Sequence, residues 1–280
     1  PNVVEKRRSH QEIRFNVSID KYPISNPERE ISATILQNGR WLDAKTKVEP
    51  RYSRGDLINF EYIGEFLFPG SKEFRLVDTR SVEFTSPDIF RIDYYSDGYG
   101  VILQPDRPRL GLPHNNYVDL NGNFTVITAD DPQTSRRLGG GVDSSLNIQD
   151  QLVEMQSAEV ERQINNRLRS DYCSVEFFLD KPYELVDRDV YIIGSFNGWQ
   201  LNPENKMQYK EGAYWCEIEM KQGLADYLYA TTEIGKQEID ITEIEGSSFE
   251  TRNEYLILVY QRSPVDRHDR IIGFKIFDSR

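Results

Sequence analysis

The sequence is poor in the residue types that build redox, metal and acid–base sites. Among 280 residues there are two cysteines, three histidines and three methionines. Cys173 and Cys216 form no CxxC motif and have no cluster of histidine or cysteine beside them, so a zinc site is not expected. Each lies among alternating apolar residues, which predicts two buried thiols. A disulfide would require the fold to bring them together.

The sequence also lacks a basic excess and a long apolar run. Its net charge of −12 excludes a general nucleic-acid binder, because no surplus of cations exists to neutralise phosphates. Anionic membrane surfaces are disfavoured for the same reason. No run of about 18 apolar residues is present, so no membrane-spanning helix is predicted. Since the chain opens on Pro1 and not on methionine, the lack of a signal peptide here does not indicate a compartment.

Recognisable catalytic motifs are missing as well. No GxSxG or HExxH pattern occurs. His10 lies near the chain start, His114 lies in a loop-like "GLPHNNY", and His268 lies in "DRHDR", which is typical of a charged hairpin tip. Carboxylates are plentiful, but the sequence singles out no pair of them. We therefore predict a non-enzymatic protein with no catalytic residue, no metal ligand and no cofactor.

What the sequence does contain is aromatic residues and short alternating segments. Sixteen tyrosines and 14 phenylalanines favour sheets over helical bundles. Residues 1–129 carry segments such as "QEIRFNVSI", "ISATILQ" and "FRIDYYSD", in which apolar side chains alternate with polar ones. Glycine, proline, asparagine and aspartate separate these segments. This spacing predicts a first β-sandwich domain over residues 1–129.

The pattern changes over residues 130–170. The stretch "DDPQTSRRLGGGVDSS" has turn residues and three consecutive glycines, which is typical of a flexible connector. Residues 147–169 then place apolar side chains near one stripe, with acids leading and arginines trailing, and so predict one amphipathic helix. Such a helix either packs on its own protein or binds a partner.

Alternation returns over residues 171–280. The segments "CSVEFFL", "DVYIIGSF", "AYWCEIEM", "EYLILVYQ" and "IIGFKIF" predict a second β-sandwich. The expected fold is therefore mainly β, with two immunoglobulin-like, early-set β-sandwich domains. The Gly-rich connector and the amphipathic helix would join them.

One short motif gives the second domain its character. "VYIIGSFNGWQ" resembles the carbohydrate-binding early-set sandwiches of glycogen-recognising proteins, which implies a sugar site. Trp199 matches the first tryptophan of that site and Asn253 its late asparagine. The lysine position is Leu228, and "TTEIGKQEID" lacks the second tryptophan. Trp199 is thus a packing staple, a protein contact or a sugar platform, and a starch-, glycogen- or envelope-polysaccharide-binding module is the alternative function.

A second resemblance covers nearly the whole chain. "NPEREISATILQNGRW", "FRIDYYSDGYGVIL", "DYCSVEFFLDKP" and "IEGSSFETRNEYLILVYQRSPVDRHDRIIGF" are similar to the plug proteins of the Bacteroidetes type IX secretion system. That family was formerly catalogued as a domain of unknown function. The resemblance implies a periplasmic protein at the inner face of the outer membrane, which docks on a large translocon barrel and seals it. It offers no catalytic residues. It also implies a further β-domain before Pro1.

Overall fold

The computed structural model describes residues 6, 8–20, 22, 24–81, 86–96, 98–115, 119–128, 170–236 and 238–279. The predicted connector, 130–145, and the predicted helix, 147–169, lie outside this part of the chain. Among the described residues, no helix has the length and apolar character needed to cross a membrane.

Strands dominate the described residues, and the helices are single turns. In chain order the elements are β1 (His10–Glu12), β2 (Asn16–Ser18), α1 (Pro27–Glu30), β3 (Ile31–Gln37), β4 (Arg40–Lys47), β5 (Tyr52–Arg54), β6 (Leu57–Asn59), β7 (Leu67–Pro69), β8 (Arg75–Asp78), β9 (Ile89–Tyr94), β10 (Tyr99–Leu103), β11 (Phe124–Val126), β12 (Tyr172–Asp180), β13 (Arg188–Ile193), β14 (Gln208–Lys210), β15 (Ala213–Lys221), β16 (Gly223–Glu233), α2 (Thr242–Glu245), β17 (Glu254–Gln261) and β18 (Arg270–Asp278). The mainly-β prediction is confirmed.

The chain divides into two compact units. Unit 1 comprises Pro1–Glu73, Arg109–Asn121 and Tyr229–Arg280. Unit 2 comprises Phe74–Pro108 and Gly122–Leu228.

Unit 1 is a sandwich of antiparallel sheets. One sheet has the order β18-β17-β3-β4, another the order β2-β6-β5, and β1 pairs with β7. Alternate residues of β3 and β17 point inward, as the period of two along a strand requires. They meet apolar side chains from the other strands and loops. The shared core contains Ile13, Ile19, Ile31, Ala33, Ile35, Ile58, Phe60, Phe66, Phe68, Tyr255, Ile257 and Val259.

Unit 2 has two sheets, one of five strands and one of four. The first has the order β14-β15-β12-β10-β9, and the second joins β11, β16 and β13, with β8 also paired to β16. The inward-facing residues of β12 are fully buried, in the strict alternation that "CSVEFFL" predicts. Phe177 of β12 meets Tyr227 of β16 edge to face, with ring centroids 5.0 Å apart. The two sheets therefore pack face to face over an aromatic core.

The two units do not follow the predicted domains 1–129 and 171–280, so that division is corrected. In unit 1, β17 pairs with β3, placing Ile257 opposite Ile35. In unit 2, β12 pairs in parallel with β10, placing Val175 opposite Val101. Each unit thus takes strands from both sides of the connector. Local alternation identifies a strand but carries no information about which distant strand it will pair with.

The cysteines behave as the alternation predicts. Cys173 and Cys216 are free and buried. Cys173 lies opposite Met220, whereas Cys216 lies opposite Phe177, so the register of β12 and β15 does not place the thiols side by side. Burial raises the pKa of Cys173 to about 11 and that of Cys216 to about 12. Both thiols are therefore protonated and unreactive at neutral pH.

Candidate interaction surface

Trp199 lies in unit 2 and is only 7% exposed. The 3-10 turn Ser195–Asn197 precedes it, and Gly198 and Trp199 both adopt the left-handed region, with φ of 63° and 61°. The Trp199 N–H donates to the carbonyl of Gly194 at 3.0 Å. Its indole packs edge to face against the Phe74 ring, with the two ring centroids 5.8 Å apart. The side chain therefore packs the turn onto the core and has no open face for a sugar ring.

Asn253, the other residue of the predicted sugar site, lies in unit 1 and is 1% exposed. Its amide donates to Gln11 Oε1 at 3.0 Å and to the Gly70 carbonyl at 2.9 Å. Its side-chain oxygen accepts from Asn38 Nδ2 at 2.8 Å. Both polar atoms of the Asn253 side chain are thus engaged in hydrogen bonds within unit 1. Trp199 and Asn253 belong to different units, and the structure leaves neither exposed to a ligand.

Leu228, at the position where the glycogen-binding resemblance would place a lysine, is completely buried. Leucine at a fully enclosed position contributes to packing and offers no hydrogen bond. Trp199, Leu228 and Asn253, which align with the sugar site, are therefore all buried within the fold.

An exposed apolar surface is instead found on unit 1, on the outer side of the sheet β18-β17-β3-β4. Tyr255, Ile257 and Val259 of β17 face the core, so the alternate residues of that strand face outward. Register continues this outward face onto β18. We call it the outer apolar face, and it comprises Leu256 opposite Ile276, Leu258 opposite Phe274, and Tyr260 opposite Ile271.

The exposure of this face is unusual for a sandwich. Phe274 is 69% exposed, Ile271 58% and Ile276 51%. The outward positions of a sheet that meets only water are typically polar. Contiguous exposed apolar side chains mark a surface that contacts another molecule.

The edges of the same sheet are protected. Lys45 of β4 lies opposite the core residue Ile35, and its ammonium sits 5.4 Å from the Phe68 ring centroid. Lys275 of β18 lies opposite the core residue Ile257. Lysines that point to the inner side of edge strands oppose pairing with another strand. Addition of a further strand along either edge of this sheet is therefore disfavoured.

Unit 2 carries a groove with a volume of about 670 Å³. Two walls are the start of β12, at Tyr172–Ser174, and Glu217–Glu219 of β15. The others come from the hairpin around Tyr95 and from the "GSFNGW" motif together with the loop that follows it. Volumes of about 300–1,000 Å³ are typical of ligand sites. No sequence signal pointed to this groove, because four separated segments form it.

A buried acidic cluster lies in unit 1. Glu73 is 2% exposed, and its Oε1 is 3.6 Å from Nε2 of His114. Burial, together with the negative charge of the hydrogen-bonded Asp119, raises the pKa of Glu73 to about 7. The N–H of Arg252 donates to the Glu73 carboxyl at 3.4 Å and opposes this shift. His114, treated as a loop residue in the sequence, thus lies beside a carboxyl that titrates near neutral pH.

The other two histidines are not part of this cluster. His10 Nδ1 and Ser9 Oγ are 2.8 Å apart, and burial lowers the pKa of His10. His268 is exposed, in the turn before β18. Within the described part of the chain, histidine, cysteine, aspartate and glutamate side chains form no group of three that could hold a metal ion.

Comparison with known proteins gives a structural neighbour of unassigned function. No family model matches the chain, and no curated protein matches it. A crystal structure of a hypothetical protein from Parabacteroides merdae ATCC 43184 matches with a TM-score of 0.80 and 25% identity. The match covers 97% of this chain but 60% of that one, so this chain spans about three fifths of its neighbour's length.

Proposed function

We propose that this chain is a non-enzymatic interaction module that docks on a large protein partner. The outer apolar face carries the proposal. Its β18 side chains are more than half exposed, and burying them against a partner would remove apolar area from water at about 25 cal/mol per Å².

The partner we propose is the outer-membrane translocon barrel of the type IX secretion system, which the chain would seal from the periplasm. The sequence resemblance to the plug proteins of that system, which covers nearly the whole chain, supports this choice. The fold is compatible with such a role, because a rigid sheet can present a face of fixed shape. The localisation proposed with it is the inner face of the outer membrane.

Affinity purification of the tagged full-length protein tests the proposal. The native outer-membrane fraction is solubilised in mild detergent, and we expect the barrel to be recovered with the unmutated protein. The double variant Phe274→Glu and Ile276→Glu should lose it, because two charges on the outer apolar face would have to be desolvated. Phe90→Glu is the matched control, since Phe90 is 61% exposed on β9 of unit 2.

Two results would contradict the proposal at different levels. Recovery of no outer-membrane protein by the unmutated chain would reject the plug function. Equal recovery by the unmutated chain and the double variant would keep the function but reject the outer apolar face as the contact.

The glycan-binding alternative is not favoured. It was based on Trp199 and Asn253, and both side chains are buried and used in packing or hydrogen bonds within their own units.

A further inference from the structure

The strand β9 forms a free edge of unit 2. Its sheet has the order β14-β15-β12-β10-β9, so among the described strands only β10 pairs with it. The N–H of Tyr95 donates to the Gly98 carbonyl at 2.9 Å, which makes these residues a hydrogen-bonded pair of the antiparallel ladder. Such pairs alternate along a ladder. Arg91 and Asp93 therefore direct their backbone groups toward β10, and Ile92 directs its N–H and C=O toward the free edge.

This edge lacks the inward lysines that protect the sheet of unit 1. The sequence of β9 is "IFRIDY", which contains no lysine or proline. Phe90 is 61% exposed and Tyr94 64%. The register against β10 shifts between Ile102 and Leu103, at the start of β9, so residues 91–94 keep a regular ladder. An exposed edge with these side chains is a template for pairing with another strand.

The side chains along β9 are complementary to those of a second β9. In an antiparallel pair centred on Ile92, this residue lies opposite its own copy, at a hydrogen-bonded position. Arg91 then lies opposite Asp93 of the second copy, and Asp93 lies opposite Arg91 of the second copy. One position further out, Phe90 lies opposite Tyr94. Opposite charges and aromatic rings in these positions stabilise an antiparallel pair of strands.

The charges of β9 can accept this second set of partners. Arg91 and Asp93 form an ion pair within the strand at 2.9 Å, but their side chains remain 56% and 31% exposed. Across the ladder they lie opposite Ile102 and Gly100 of β10, which carry no charge. In the paired copies each guanidinium would lie between two carboxylates, one from each copy. The edge thus brings equal numbers of both signs together in a chain whose net charge is −12.

We propose that two copies of this chain associate edge to edge through β9 and join their five-stranded sheets into one continuous sheet. The contact has two-fold symmetry and uses both β9 edges, so it closes at a dimer. The other edge of each sheet is β14, which has three residues and ends at Lys210. A short edge strand with a lysine opposes further growth. Because one pair of strands buries little area, the dimer is weak and reversible.

Sedimentation equilibrium of the purified chain at low ionic strength tests this inference. We expect the unmutated chain to show a monomer–dimer equilibrium. Arg91→Asp alone and Asp93→Arg alone should each weaken the dimer by about tenfold or more, because each places like charges opposite each other at two positions. Glu184→Arg is the charge-reversal control, since Glu184 is exposed in unit 2 outside β9.

Mixing the two single variants is the sharper test. An equimolar mixture of Arg91→Asp and Asp93→Arg should form a heterodimer about as tightly as the unmutated chain dimerises, because an acidic edge then faces a basic one. The double variant that carries both substitutions should dimerise again with itself. Such rescue requires both single variants to be folded, so it separates loss of contact from loss of structure.

An unmutated chain that stays monomeric up to about 1 mM would overturn the inference. A dimer that both single variants keep would also overturn it, and loss of that dimer in Phe274→Glu with Ile276→Glu would assign the contact to the outer apolar face. A mixture that stays monomeric would reject the register centred on Ile92.

This inference goes beyond the proposed function and is tested apart from it. Phe90→Glu should weaken the dimer but leave recovery of the translocon barrel unchanged, because β9 belongs to unit 2 and the outer apolar face to unit 1. The sedimentation measurements use the purified chain alone. Their outcome is therefore independent of whether the barrel is recovered.

Discussion

Gly122 lies directly against the indole of Trp199. A methyl group added at Gly122 would come within 2.6 Å of two carbons of that ring and within 2.9 Å of the Phe74 ring. Gly122 also has a φ of +81°, which side-chain-bearing residues rarely adopt. The contact explains why a bulky tryptophan fits in the turn: its neighbour has no side chain.

We therefore expect Gly122→Ala to destabilise unit 2 by about 2–4 kcal/mol, because ring displacement adds to the cost of the left-handed backbone. Urea unfolding followed by tryptophan fluorescence measures the loss. Gly212→Ala is the control, since Gly212 has a φ of +90° but nothing within 4 Å of an added methyl group. Equal losses in the two variants would show that the contact with Trp199 contributes nothing.

Trp199→Ala should lower the free energy of unfolding by about 3–5 kcal/mol, the usual cost of removing a large buried aromatic side chain. Trp41→Ala should cost about 0.5 kcal/mol or less, because Trp41 is 63% exposed on β4. Neither substitution should change migration through a glycogen-containing native gel. Retardation of the unmutated protein that Trp199→Ala abolished, with stability kept, would restore the sugar-platform interpretation.

Trp199 and Trp41 differ in solvent exposure, and the sequence alone did not establish this difference. The local "NGW" turn allowed a packing staple at Trp199 as one of three interpretations, beside a protein contact and a sugar platform, and the burial of the side chain favours the packing staple. Trp41 has no such context, and it is exposed on the edge strand β4 although its neighbour Arg40 is buried. The segment "EYLILVYQ" was likewise predictable as β17, whereas its pairing with β3, more than 200 residues away, was not. The outer apolar face and the groove depend on such pairings and were therefore missed.

The stability of unit 1 should fall as pH rises from about 4.5 to about 7. Glu73 has its pKa raised from 4.5 to about 7 in the folded chain, so the folded state binds the proton more tightly than the unfolded one. That contribution is complete below pH 4.5 and is lost as pH passes 7. Glu73→Gln should remove much of this dependence and raise stability at pH 8 by about 1–2 kcal/mol.

Urea unfolding at pH 5, 6, 7 and 8 measures this dependence. Glu49→Gln is the control, because Glu49 is exposed in the same unit. A pH dependence unchanged by Glu73→Gln would exclude Glu73 as its source. Asp119 and His114 would then be the next residues to substitute, since both contribute to the same cluster.

Cys173 and Cys216 should resist alkylation in the folded chain. Both are buried, and their raised pKa values leave almost no thiolate at pH 8. We expect iodoacetamide to label them at least about 100-fold more slowly than in urea, because labelling requires local opening. Mass spectrometry of timed samples measures the rates. Rapid modification of either thiol under native conditions would contradict the burial of that thiol.

The inward lysines Lys45 and Lys275 have a consequence for assembly. A chain with an exposed apolar face is at risk of joining its sheets edge to edge into fibres whenever copies crowd together. The ammonium groups at both edges of that sheet oppose extension of the hydrogen-bonded ladder, so crowding favours contact between faces over pairing between edges. Contacts made through the face alone involve side chains only, so they can separate without unravelling a strand.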